Sequence, residues 1–331
     1  HDLQRKDYES YAAYSKAKKE IENGQFFTPP LLCRLVAEAL SPPPDAAIAD
    51  LTCGAGAFFN FMPEESNLYG CEIDMKAYKV AKTLYPTANL ENRDIRAYQP
   101  SVRFDYIVGN PPYNLRWWVN DGEEVLSQFY YCQRAAEFLK PFGILAIIVP
   151  ASFLSDDFSD GTYIREMEEH YSFLGHIALP SNAFSMLGVS NYPIKLQFWQ
   201  KRSAGVDARP YHIKVDRFLT VGFDCETEAA WISQNLLRNA RKRLENNQYS
   251  AVRELAKEKA LSAKFLYQVQ KMLYQIKRHP KLKASYAKCY EYFYRFCTET
   301  QPKDMKYEEW AKKRLTEAKV LAYLKKTLQK Q

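Results

Sequence analysis

The chain of 331 residues is short of the residues that staple small scaffolds. Its seven cysteines are scattered without one Cys-x-x-Cys pair, and only five histidines accompany them, so neither a zinc ribbon nor a disulfide framework is expected and no metal site is assigned. No apolar run reaches bilayer-spanning length and no signal-type apolar region opens the chain, which points to a reducing, cytoplasmic setting without a membrane. Repeats and low-complexity tracts are missing as well. The chain opens on His1 rather than Met, which leaves a longer parent polypeptide open.

What is present begins with Asn110-Pro111-Pro112-Tyr113, placed directly after an apolar, strand-like run over residues 104–108. The Asn110 side-chain oxygen and the Pro111 carbonyl can each accept one N–H of a planar amine, while Tyr113 offers a ring to stack on the plane that carries it. Proline lacks an N–H, and Pro112 holds Pro111 extended, so the Pro111 carbonyl is expected to point away from the sheet toward a ligand. A plain Asn-Pro turn after a strand is the alternative for these four residues taken alone.

Upstream, a buried strand over residues 46–50 ends at Asp50 and runs into Leu51-Thr52-Cys53-Gly54-Ala55-Gly56, a glycine turn that is expected to open a helix. Roughly twenty residues further, after a second strand over 68–71, stands Glu72, at the spacing that grips a ribose diol. Asp94 ends a third strand-like run. The three acids are expected at successive strand ends along one edge of an open parallel sheet. A dinucleotide fingerprint would need a third glycine, and Phe58 and Phe59 stand there instead. A ligand without a pyrophosphate fits better, and S-adenosylmethionine, with an amino acid end, a ribose and an adenine, is such a ligand.

With Gly24-Gln25-Phe26-Phe27-Thr28-Pro29 ahead of the glycine turn and Asn-Pro-Pro-Tyr behind it, residues 24–200 resemble the gamma-class N6-adenine DNA methyltransferases of restriction-modification systems. The resemblance implies an α/β, doubly wound, mainly parallel, Rossmann-like sheet and a methyl transfer from S-adenosylmethionine to adenine N6 after base flipping. It also implies roles. Phe27 and Thr28 close over the methionine end of the cofactor, which Asp50, Cys53, Gly54 and Gly56 line. Glu72 holds the ribose hydroxyls, Ile73 packs on the cofactor adenine and Asp94 accepts from its amino group, with Ile95 beside it also counted as cofactor-binding. Asn110, Pro111 and Tyr113 act on the target base, and Phe184, in the late segment Asn182 to Asn191, is the candidate second aromatic against it, with Tyr192 its rival. Local readings compete: Thr28 and Pro29 also suit the start of a helix Pro30–Leu40, Asp50 also suits a turn cap, and Asp94 also suits a pair with Arg93 or Arg96. Leu51 and Thr52 depart from the family's usual Pro and small residue.

Later apolar runs at 143–150 and 194–199 read as strands, with one more expected over 211–215. A helix is expected over 8–20, which gives three units: an N-terminal helix over 1–23, a methyltransferase domain over 24–220 and a basic helical domain over 221–331. Charge marks the last. Residues 1–230 hold 22 Lys+Arg against 30 Asp+Glu, whereas 231–331 hold 24 against 9, a net of +15. Helical spacing over Phe265, Val269, Met272 and Ile276, and over Tyr286, Tyr290 and Phe293, supports a bundle. Its charge favours DNA as partner. No strand-rich reader of bases follows residue 202, so target choice is expected from the tail, a specificity or restriction subunit, or the remainder of a larger polypeptide. Protein glutamine methyltransferases and ribosomal RNA base methyltransferases, which share or approximate the Asn-Pro-Pro-Tyr motif, and a non-catalytic DNA-binding module remain as alternatives.

Overall fold

The computed structural model describes residues 10–12, 14, 27–120, 123–155, 161–185, 191–203, 208–246 and 325. Most of the expected N-terminal helix over 8–20, the segment 24–26, residues 186–190 of the late motif and the helical segments expected beyond residue 246 lie outside them. The chain divides into two compact units, residues 1–42 with 47–241 and residues 43–46 with 242–331. The first carries the sheet described here.

Eight strands form one sheet in the order β10-β8-β9-β7-β4-β1-β2-β3. They are β1 (Ile48–Asp50), β2 (Leu68–Glu72), β3 (Asn89–Asn92), β4 (Phe104–Gly109), β7 (Leu139–Pro150), β8 (Tyr171–Ala178), β9 (Ile194–Lys201) and β10 (Arg217–Phe218). Five of the seven pairings are parallel, and only β9 runs against its neighbours β7 and β8. The result is a mainly parallel α/β sheet. Strands β4 and β7 are buried along nearly their whole length, which is why both read as largely apolar stretches, broken only by the ion-paired Asp105 and Lys140, rather than as alternating ones.

Helices α1 (Pro30–Leu40), α2 (Met75–Leu84), α3 (Ser127–Phe138), α4 (Thr162–His170) and α5 (Cys225–Ile232) accompany the sheet. Helix α1 starts where the prolines predict, but Pro29 is its N-cap and no side chain caps it, so Thr28 does not serve as the cap. Helix α2 is capped by Asp74, whose carboxylate accepts from Lys76 N at 2.9 Å. A short antiparallel pair, β5 (Arg116–Asn120) with β6 (Glu123–Leu126), forms a separate two-stranded sheet just after the Asn110 loop.

Two local expectations change. The glycine turn opens not into an α-helix but into a 3-10 turn over Ala57–Phe61, which buries Phe58 and Phe59 in a single tight turn before Pro63. Residues 211–215 form no strand; the short edge strand comes later, at β10. Side chains capture that segment instead: Tyr211 stacks on the buried Trp199 at 5.7 Å and 12°, and the Lys214 carbonyl meets ring nitrogens of both His176 and His212, at 2.8 and 2.9 Å. A carbonyl drawn to two imidazoles is lost to a ladder.

Candidate active site

The sheet order β4-β1-β2-β3 places the carboxyl ends of these four strands side by side. Asp50 ends β1, Glu72 ends β2, Asp94 follows β3 by two residues, and Asn110 follows β4 directly. Open parallel sheets bind their ligands at this edge. A cavity of about 220 Å³ lies there, lined by Phe27, Gly54, Glu72, Ile73, Asp94, Ile95 and Asn110 among the expected residues. Leu51, Thr52, Arg96, Pro112, Leu115 and Trp117 complete much of the wall.

Glu72 sits at the centre of the acidic end. Its two carboxylate oxygens accept from Gly54 N at 2.8 Å and Asp74 N at 2.7 Å, which ties the glycine turn to the end of β2. Each oxygen retains a lone pair for a ligand hydroxyl. Burial raises its pKa, and the backbone donors oppose the rise. Asp94 behaves oppositely: the Arg96 guanidinium, in contact at 2.5 Å, holds its carboxyl below the usual range. Of the two arginines beside Asp94, the pair is with Arg96, while Arg93 pairs with Glu91 at 2.8 Å.

Asp50 stands behind the wall. It is 3% exposed, does not line the cavity, accepts from Thr52 N at 3.1 Å and lies 3.4 Å from the Tyr131 hydroxyl oxygen. Burial pushes its pKa up to about 7; the Thr52 N–H pulls it back and Glu72 pushes it further up. The local reading of a turn-holding acid therefore describes its contacts here. Tyr131, on α3, is the unforeseen member: its hydroxyl donates to Val108 O at 2.6 Å and accepts from Leu51 N at 3.1 Å, bridging β4 and β1 just below the cavity. Its place 81 residues from Asp50 leaves no local pattern that announces it. Thr28, Cys53, Gly56 and Pro111 stand outside the cavity lining, with Thr28, Cys53 and Pro111 buried and Gly56 in a left-handed turn at φ 84°.

The loop itself is organised differently from the expected open platform. Tyr113 is 6% exposed; its hydroxyl donates to the Asn110 side-chain oxygen, and its ring lies parallel to Tyr192 at 5.9 Å and 5°. Burial raises its pKa well above the ordinary tyrosine value. The ring expected to meet a base meets Tyr192 instead, because apolar faces left beside a proline-stiffened turn cover one another in water. Phe184 is 1% exposed and belongs to the interior, so of the two late aromatics it is Tyr192 that faces the loop. Asn110 and Pro112 nevertheless open on the cavity.

Residues 2–205 match the family model described as N-6 DNA Methylase. The chain belongs to that family. Among curated relatives, the Type II methyltransferase M.CvrRI of Paramecium bursaria Chlorella virus XZ-6E is 28% identical over 163 residues, 46% of this chain and 42% of that protein. The Type I restriction enzyme MjaIX methylase subunit of Methanocaldococcus jannaschii is 32% identical over 112 residues, 29% of this chain and 20% of its own length. The chain thus spans about two fifths of the viral relative. A solved Listeria monocytogenes structure, described as a class I S-adenosylmethionine-dependent methyltransferase, superposes with a TM-score of 0.54 at 16% identity, over 68% of this chain and 76% of that one. That likeness shows the methylase fold.

The residues in this wall fit the cofactor of such enzymes on an observation of their own. Thr52 lines the cavity, and its Oγ1 is buried with no hydrogen-bond partner among the described residues, an orphan that a bound polar group would satisfy. Thr52 was legible only as a departure from the usual motif. Leu115 and Trp117 announce themselves more plainly, in the aromatic run Arg116-Trp117-Trp118-Val119 closed by Asp121-Gly122, a hairpin pattern directly after Tyr113.

Proposed function

We propose that the protein transfers a methyl group from S-adenosylmethionine to the N6 amino group of adenine in DNA, after the base has left the duplex. One observation carries the reading: Asn110 opens on the same cavity as Glu72, Asp94 and the Gly54 turn, so an acceptor for an amine and the grips for a nucleoside share one space. The cofactor supplies an electrophilic methyl on a sulfonium. Gly54 and Thr52 hold its amino acid end, Glu72 its ribose, and Ile73 and Asp94 its adenine, the last once Arg96 has yielded.

An adenine amino group is a poor nucleophile because its lone pair is delocalised into the ring. Asn110 Oδ1 and, once the loop turns it toward the cavity, the Pro111 oxygen pull on its hydrogens and favour a pyramidal, electron-rich nitrogen where positive charge develops. Asn110 Oδ1 has two lone pairs, so it accepts from Tyr113 and from the amine together, and the Tyr113 hydroxyl fixes its orientation. In-line placement provides much of the remaining acceleration. Stacking of the base on Tyr113 requires Tyr192 to move aside.

Target choice falls to residues 247–331, to a specificity or restriction subunit, or to a longer polypeptide, in keeping with a chain that spans two fifths of its viral relative. The test is labelled S-adenosylmethionine offered with duplex DNA, ribosomal RNA and a glutamine peptide in parallel, followed by nucleoside analysis. N6-methyladenine in DNA is the expected product; label in the peptide alone rejects the substrate. Asn110→Ala is expected to lower turnover by about a hundredfold or more with cofactor affinity retained, as for loss of one preorganised charge-stabilising group.

A further inference from the structure

Immediately beyond the Asn110 loop, the β5–β6 hairpin pairs Trp117 with Val125 and Trp118 with Glu124. Alternation along a strand sends these adjacent tryptophans to opposite faces. Trp117 turns inward, edge-on to Tyr130 at 5.9 Å and 79°, and lines the cavity. Trp118 stands outside at 61% exposure, sharing its face with Arg116, whose side chain is 68% exposed and 3.7 Å from Glu124.

This outward indole is not on a loose loop. The Ser127 hydroxyl donates to Pro112 O at 2.6 Å and Ser127 N donates to Leu115 O at 2.8 Å. Asn114 and Gln128 exchange two bonds of 2.9 Å, Asn114 N to Gln128 Oε1 and Gln128 Nε2 to Asn114 Oδ1. The position of Trp118 is therefore set relative to Asn110 through bonds to the catalytic loop itself.

Extruding a base costs a few kcal/mol and leaves a gap in the stack. Apolar side chains presented to a duplex enter base steps as wedges, and an indole has the area to replace a lost base. Resting on the function proposed above, we propose that Trp118 is the wedge that occupies the place of the extruded adenine, with Arg116 beside it on a backbone phosphate. An aromatic and a cation on one face of a strand braced to the loop that receives the base, five and three residues past Tyr113, are what such an insertion needs.

The test compares Trp118→Ala and Trp118→Phe with the unaltered chain on two duplexes that carry the methylated site mapped in the preceding assay. One has the target adenine paired; the other has it opposite an abasic position, so that the base is already loose. Trp118→Ala is expected to lower kcat/KM on the paired duplex by about tenfold to a hundredfold, the range of one lost stacking contact, and to remain within about threefold of the unaltered chain on the abasic duplex. Trp118→Phe recovers part of the loss, and cofactor affinity stays unchanged throughout. Equal losses on both duplexes, or no loss on either, overturn the wedge alone. Failure of the unaltered chain to methylate either duplex overturns the proposed function and the wedge with it.

Discussion

Asp50 shows how a residue picked out by a motif takes its physical character from neighbours the motif does not contain. Its place after β1 and before the glycine turn is readable in the chain, whereas its 3% exposure depends on α3 laying Tyr131 over it. The folded carboxyl, pushed up to about 7 from 3.8, holds its proton over a range where the unfolded one has released it. More protons are then bound in the folded state, so this group's contribution is full below about pH 4 and is lost as pH rises through about 7. Asp50→Asn removes that slope. Urea unfolding of both forms from pH 4 to 8 should show the variant gaining on the wild type up to about pH 7 and holding level beyond; parallel curves would mean that Asp50 is not buried against Tyr131 as described. Asp94 was legible as an acid at a strand end, and as one of two possible ion pairs; only the fold selected Arg96 over Arg93, since Arg93 turned to Glu91.

Among elements, the strand buried on both faces was the most readable, because a continuous apolar run leaves no doubt about burial: β7 holds the run 143–150, and β4 and β9 lie where apolar-rich stretches lie although Asp105, Lys195 and Gln197 interrupt them. The glycine turn was readable as a turn but not as a 3-10 element, and the strand expected at 211–215 gave way to side-chain contacts with β8 and β9. The junction between β4 and Asn110 depends on a glycine. A Cβ at Gly109 would stand 2.2 Å from the Tyr131 hydroxyl and 2.5 Å from its Cζ, well inside contact. Since that hydroxyl also satisfies Leu51 N and Val108 O, it cannot move without leaving buried partners unpaired. Gly109→Ala should therefore destabilise the protein by about 1–3 kcal/mol in chemical denaturation, and Gly109→Ala combined with Tyr131→Phe should recover little, because the ring carbon still clashes. Unchanged stability of the single variant would place Tyr131 elsewhere.

For the whole molecule, charge is the property that composition states outright: the last hundred residues carry a net of +15 while the rest is acidic. Binding that neutralises phosphates releases counterions, so affinity falls linearly in log–log salt plots with a slope of about 0.9 per phosphate contacted. Removing residues 247–331 is expected to flatten that slope for duplex DNA by several contacts' worth; an unchanged slope would assign the lysines to solvent. Sequence by itself determined the family, the strand-turn-strand order that brings three acids and Asn110 to one sheet edge, and the division of charge, because periodicity, glycine and proline chemistry and charge act through neighbours in the chain. Tertiary structure alone decided that Tyr131 pins β1 to β4, that Tyr113 rests on Tyr192 with its hydroxyl on Asn110, that Phe184 is interior, and that Trp118 stands outside. Apart from the Tyr113–Asn110 bond, which spans three residues, each of these is a contact between residues far apart in sequence or a choice of which face meets water, and both are settled only when the elements pack.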